Sequence, residues 1–279
     1  MFKIICKTES QTDSVTKYIV EDSVFGKNEI SVLRKDNKDV IVLPTQTNCK
    51  MGCSFCHLTG TTRKAHNLTW FWLSEAVQFI KDSETLGIKP ILISFMGAGE
   101  PLINISNVLR GIEEICRRGS NIRFAISTMM PNTSALKQIT NWCLANRSIS
   151  LKLHLSVHGI ENRNKIITSP VKIEESIRNL QRHSEITGLP IEYHYTLVND
   201  VNDSESELTQ FRDLVIQRKE LTTVKFLELS EVGECRKSEV SKTWLDELFS
   251  GIVVEFYDPP GRDVGSSCGM FDKSIYAEE

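Results

Sequence analysis

The stretch "TNCKMGCSFCHLTG", residues 47–60, puts Cys49, Cys53 and Cys56 in a CxxxCxxC run directly behind the apolar run "DVIVLP" (39–44). Three thiols this close on one loop either bind something or are exposed to oxidation. A structural zinc ion closes its tetrahedron with a fourth Cys or His; His57 and His66 are close in sequence but fall into no finger or ribbon pattern. A 4Fe–4S cluster also takes thiolates, and three cysteines leave one iron open to a small chelating molecule. The run by itself leaves a cluster, zinc and structural thiols open.

Working outward, the loop sits inside a regular alternation. "DVIVLP" reads as a buried strand and is followed by an amphipathic helix over about 70–86. The same pattern repeats with "PILISFM" and a helix near 106–117, "IRFAIST" and 133–146, "ISLKLHLSV" and 172–187, "PIEYHYTLV" and 204–219, "TVKFLEL" and 241–249, then a last strand "IVVEFY". Strands alternating with helices at this spacing indicate right-handed βαβ units on a parallel sheet. Six units give a partial, open (β/α)6 barrel of the α/β class. Ahead of it, "KYIVEDSV" and "NEISVLR" flank Gly26-Lys27-Asn28 as a β-hairpin. The expected division is therefore an N-terminal extension and hairpin over 1–38 and a barrel with a C-terminal cysteine loop over 39–279.

Composition limits the alternatives. A chain of 279 residues with 40% hydrophobic content can bury one substantial core. A net charge of −3 confines any nucleic-acid contact to a local basic patch. No apolar run approaches the roughly 18 residues that span a bilayer, and "MFKIICKTES" lacks a secretory h-region. A cytosolic setting with no membrane partner is expected, where eight cysteines are metal-binding, catalytic or buried thiols rather than disulfides.

Parallel βα folds carry their chemistry on the loops after the strands. Those loops hold the cysteine run, "GAGEP" (97–101), Ser127 with Thr128, Ser156 with His158, "SEVGEC" (230–235) and "PPGRDVGSSCGM" (259–270). One rim thus collects thiols, glycines and polar groups.

CxxxCxxC with Phe55 before its last cysteine resembles the signature of radical S-adenosylmethionine enzymes. "VLPTQTNCKMGCSFC", "ISFMGAGEPLIN", "AISTM", "LHLSVHG", "YTLVNDVNDS" and "GRDVGSSCGM", in this order, resemble the class A radical methyltransferases over residues 16–273. These enzymes methylate adenine carbons 2 or 8 in ribosomal or transfer RNA. The resemblance implies that Cys49, Cys53 and Cys56 hold a 4Fe–4S cluster and that Gly97, Gly99, Glu100, Ser127, Ser156, Val157, His158 and Ser230 line the S-adenosyl-L-methionine site. The glycines would let backbone approach the ligand closely. It implies that Cys268 is methylated by one S-adenosylmethionine, and that a radical from a second activates that methyl for attack on an sp² carbon. A reducing partner such as a flavodoxin or ferredoxin would supply electrons.

Three departures bear on function. The family's second cysteine, seven residues before the first cluster ligand and needed to release the adduct, is here Val42. Cys235 on the same rim is the candidate substitute, ahead of Cys6; Cys116 and Cys143 fall on apolar helical faces. Ser230 stands where the family has an asparagine. The family's helical N-terminal RNA-holding domain has no counterpart in the fifteen residues before the hairpin. Arg63, Lys64, His66, Arg123, Lys152, His154, Arg163 and Lys165 are candidates for a basic rim toward RNA, against the ordinary expectation that such charges are solvated. His154 and His194 are expected to be satisfied barrel side chains, and Trp70, Phe71 and Trp72 to pack on the barrel. The alternatives to RNA methylation are a radical enzyme of this lineage redirected to a small molecule or peptide, and a non-catalytic cluster-binding protein.

Overall fold

Val40 and Ile41 are buried in β4 (Asp39–Val42), which delivers the chain to the cysteine loop at its C-terminal end. In the computed structural model, which describes residues 2–230 and 234–277, this strand is the pivot between two kinds of pairing. On one side lie parallel strands in chain order: β5 (Ile91–Phe95), β6 (Ile122–Thr128), β7 (Leu151–Ser156), β8 (Ile191–Thr196), β9 (Thr222–Leu227) and β10 (Val253–Tyr257). On the other side β3 (Gly26–Arg34), β2 (Val15–Asp22) and β1 (Lys3–Glu9) follow antiparallel. The ten strands form one curved sheet, open between β10 and β1.

The hairpin expected around 26–28 is β2 and β3, with its turn slightly earlier. Asp22 Oδ1 accepts from the Val24 and Phe25 amides, and Gly26 takes the left-handed φ of +64°. The strand β1 was not expected: "KIICKTE" is almost wholly exposed and has no apolar alternation, so only its pairing with β2 defines it.

Six helices cover the outer face: α1 (Trp70–Glu84), α2 (Ile105–Arg118), α3 (Thr133–Ala145), α4 (Ile173–Thr187), α5 (Glu205–Val215) and α6 (Lys242–Leu248). Thr69, Asn132, Ser204 and Ser241 cap α1, α3, α5 and α6 by accepting an amide two or three residues into the helix. The helix expected over 204–219 stops at Val215 because its apolar stripe, Leu208, Phe211 and Val215, ends there. The chain continues as an unburied 3₁₀ turn, Ile216–Leu221.

The sheet's two faces differ in chemistry. On β7 the outward residues Leu151, Leu153 and Leu155 are buried under helices, while Lys152, His154 and Ser156 alternate toward the bore. The bore is built around buried Glu192 on β8. Its carboxylate accepts from His194 Nε2 at 2.7 Å and pairs with Lys225 at 2.8 Å and with Lys152. Burial alone would raise this carboxyl, but the hydrogen bond and surrounding positive charge hold it well below the usual carboxylate range. Burial pushes the pKa of His154 well down and lowers that of His194, against the pull of its Glu192 hydrogen bond.

Removing Glu192 strands the Lys152 ammonium and leaves Lys225 only Glu255, beside two imidazoles. Glu192→Ala is expected to lower unfolding free energy by about 3–5 kcal/mol in urea titration at pH 7. Because the folded carboxyl is depressed, its contribution is present above about pH 4.3, the unfolded value, and lost as pH falls below it. The variant's deficit should shrink in acid.

Candidate active site

The C-terminal ends of the parallel strands meet in an open cleft of about 120 Å³. Cys49, Cys53 and Cys56 line it, together with Gly97, Gly99, Glu100, Ser127, Ser156, His158 and Cys268. All three loop cysteines are free thiols, as is Cys268. Burial raises Cys49, raises Cys53 well above the usual thiol value and pushes Cys56 up to about 12, with neighbouring thiolates adding to the effect at Cys53 and Cys56. Three such thiols ionise together only beside a compensating cation, so the donor set fits a metal centre.

A tetrahedral zinc ion with bonds of about 2.3 Å brings its sulfurs to about 3.8 Å from one another. Among the described residues, the group of three metal-type donors drawn within 4.8 Å of each other is His154, Glu192 and His194, not the cysteines. The histidine group already has ammonium counter-charges on both oxygens of Glu192.

The glycines have a reason beyond ligand approach. A Cβ on Gly97 would lie 2.7–2.8 Å from Pro44 and Leu43 backbone, and one on Gly99, at φ +99°, 2.7–2.8 Å from Gln46. The "GAGE" segment is pressed onto the start of the cysteine loop, where Thr45 and Gln46 amides donate to Ala98 O and Gln46 Oε1 accepts from the Glu100 amide at 3.0 Å. Fully buried Glu100 then ties two rim loops together by accepting from the amides of Leu102 and Met129 and from the Thr128 hydroxyl. Arg163, expected at a basic rim, is buried and donates to the carbonyls of Met129, Ser156 and Val157. His158 adopts φ +51°, accepts the Thr196 amide at Nδ1 and packs edge-on to Phe55.

Cys268 reaches the cleft because the C-terminal loop is clamped on the cysteine loop. Gly269 O accepts from the His57 amide at 2.7 Å, and His57 Nδ1 accepts from the Phe271 amide at 3.2 Å. A Cβ on Gly269 would stand 2.4 Å from Phe55 O. Burial pushes the Cys268 thiol up to about 11.

Not every expected residue lines the cleft. The Val157 side chain is in the core. Ser230 Oγ is hydrogen-bonded at 2.7 Å to Ser267 Oγ, which donates to Pro259 O, so it braces the residue before Cys268. Cys235 lies against Ser54 Oγ at 3.6 Å, packed with Met51, Phe55 and Met129, outside the linings of the cavities that Cys268 shares. Residues 231–233 of its loop lie outside the described residues. Val42 lines two of those cavities. Cys6 is exposed on β1, Cys143 is buried on α3 and Cys116 half-buried on α2.

None of the eight basic candidates lines the cleft, and Arg63, Lys64 and His66 share a separate surface pocket. Arg63 donates to the carbonyls of Phe25, Lys27 and Ile275, Lys152 and His154 face the bore, and Arg123 lies near the start of β6, at the opposite end from the cleft. Trp72 is buried and donates to Asp22, Trp70 stacks under Arg110, and Phe71 is exposed. Thr128, Met129, His194 and Phe271 also line the cleft. Of these Thr128 and Met129 fall in the "AISTM" motif and His194 is an expected barrel side chain, while Phe271 has no sequence signal.

No family model matches the chain. It is 28% identical over 287 residues to a probable dual-specificity RNA methyltransferase RlmN of Clostridium acetobutylicum, covering all of this chain and 81% of the relative. It is 25% identical to that of Clostridium beijerinckii, over 98% of this chain and 78% of the relative. In structure it is similar to a radical SAM methyltransferase from Sphaerobacter thermophilus, with TM-score 0.83 and 20% identity over 98% of this chain and 81% of the other.

Two measurements test the clamp. Gly269→Ala forces a side chain onto Phe55 O at a left-handed φ, at a cost of about 1–3 kcal/mol, and should make Cys268 more reactive to iodoacetamide. In the unaltered chain that reactivity should rise about tenfold per pH unit between 7 and 10, following thiolate formation below a pKa of about 11.

Proposed function

We propose that this chain, a divergent member of the class A radical S-adenosylmethionine methyltransferases, transfers a methyl group by way of Cys268 to an sp² carbon, with adenine in RNA as the acceptor. The observation that carries it is the shared cleft: the Cys268 thiol and the three loop cysteines line one wall-to-wall space. When bound, a 4Fe–4S cluster and S-adenosylmethionine supply the electron, the methyl group and the radical character that an unactivated ring carbon demands. Cys49, Cys53 and Cys56 would hold the cluster. Gly97, Gly99, Glu100, Ser127, Ser156 and His158 would surround the cosubstrate, with Val157 contributing backbone only.

The rest of the chemistry belongs to the chain's own side chains. Cys268 carries the methyl as a thioether, so its proton must first leave a thiol whose pKa is about 11. His194 lines both large cavities that Cys268 lines. Its Nε2 is hydrogen-bonded to Glu192 Oε1, which fixes the ring beside both cavities. Met96, Met129, Leu58 and Phe271 keep the cleft wall apolar and limit water.

RNA as acceptor is supported by the names of the relatives, which are probable dual-specificity RNA methyltransferases. A second acceptor class, a small molecule, is favoured by one observation: Arg63, Lys152, His154 and Arg163 are spent on internal carbonyls and Glu192 rather than on a phosphate-gripping rim.

Mass spectrometry of the anaerobically reconstituted protein after addition of S-adenosylmethionine tests the role of Cys268. One methyl group is expected on the Cys268 peptide, absent in Cys268→Ala and retained in Cys235→Ala. Formation of 5′-deoxyadenosine with an unmodified Cys268 would refute it. Salt-sensitive RNA binding and a nuclease-sensitive adduct are expected for the RNA acceptor and not for the small one.

A further inference from the structure

Cys268 faces a second cavity, about 170 Å³ in volume, that runs down the bore away from the cysteine loop. A closed space on the order of 150 Å³ accommodates one aromatic ring. Val42, Leu227 and Tyr257 give it apolar walls, and His154, Glu192, His194 and Lys225 give it a polar side. At its far end are Lys35 and Lys38, in the turn between β3 and β4 and therefore at the rim opposite the cysteine loop.

The charges in this lining do not balance. Of the three ammonium groups in it, Lys225 is paired with Glu192 and, outside the lining, with Glu255, and Glu192 is further bonded to Lys152 and His194, so the excess charge is that of Lys35 and Lys38. Among the described residues, neither Lys35 nor Lys38 pairs with a carboxylate. Lys35 instead places its ammonium 5.3 Å from the Tyr257 ring centre, with Lys225 5.6 Å from the same ring. Burial, then the charges of Lys38 and Lys225, push the Lys35 pKa down. An anion at this point would relieve both effects.

We infer that this cavity binds a small organic acid, with a ring-sized apolar body toward Cys268 and Tyr257 and a carboxylate or phosphate between Lys35 and Lys38. A polynucleotide arriving at the cysteine-loop rim would meet Cys268 from the other side and leave these lysines unused. The position of Val42 is consistent with this use: a valine extends the apolar wall beside Cys268. Calling the acid the methyl acceptor rests on methyl transfer through Cys268. Anion capture itself does not, and is measured separately from methylation.

The test is paired alkylation of the full chain at low salt with iodoacetate and iodoacetamide, similar in size but charged and neutral. In each, the Cys268 thiolate forms an S–C bond and iodide leaves. Peptide mapping gives the rate ratio of the two reagents at Cys268, with exposed Cys6 as internal reference. An electropositive cleft concentrates anions by about tenfold or more. The ratio at Cys268 should therefore exceed that at Cys6 about tenfold, and fall to the Cys6 value in Lys35→Gln/Lys38→Gln. Lys35→Arg/Lys38→Arg, which keeps the charge, should keep the high ratio and guards against a fold defect. Equal ratios at the two thiols, or a ratio untouched by the glutamine pair, would overturn the inference. Protection of Cys268 from iodoacetamide by phenyl phosphate identifies a phosphate head group and by benzoate a carboxylate; protection by neither counts against the site.

Discussion

The contact between the Gly269 backbone and the Phe55 carbonyl is the constraint on which the site depends. There is no room for a side chain at Gly269, and the loop's amide and carbonyl groups are engaged by His57 on the opposite segment. This joins the last loop of the chain to the first loop of the barrel. A thiol near the C-terminus is thereby held over three thiols more than 200 residues earlier. The "GAGE" segment supplies the matching constraint beneath, since Gly97 and Gly99 let β5's loop lie against Leu43–Gln46. Glu100, Arg163 and Ser230 then lock neighbouring loops together. These residues shape the cleft by bonding to protein as much as by facing a ligand.

Stability and function are divided between the two faces of the sheet. Outward side chains such as Leu151, Leu153 and Leu155 pack under helices and supply the hydrophobic stabilisation. The bore instead carries Lys152, His154, Glu192, His194 and Lys225, a group that a purely structural barrel would fill with aliphatic residues at lower desolvation cost. That network and Cys268 line one ring-sized cavity with a charged side.

Much of this was legible in the sequence. The period-two runs and the 3.6-residue stripes located the seven parallel strands and six helices, and the loop rule gathered Cys49, Cys53, Cys56, Glu100, Ser127 and Cys268 on one rim. What was not legible has physical causes. The exposed β1 has no apolar alternation and exists through its partner. Arg63 and Arg163 look like solvated loop charges until the fold turns them onto carbonyls. Val157 and Ser230 sit in motif positions, yet one points into the core and the other braces a loop. The bore network comes from β7, β8 and β9, and strand alternation alone cannot say that its polar residues meet.

The account stands or falls on what the three loop thiols bind. Iron, sulfide and zinc analysis of anaerobically purified protein, with electron paramagnetic resonance of the reduced sample before and after S-adenosylmethionine, measures this directly. About four irons and four sulfides per chain are expected for the cluster. The reduced signal should change when the cosubstrate is added, and both should be lost when Cys49, Cys53 and Cys56 are replaced by alanine. One tightly held zinc per chain, or a cluster whose spectrum ignores S-adenosylmethionine, would contradict it.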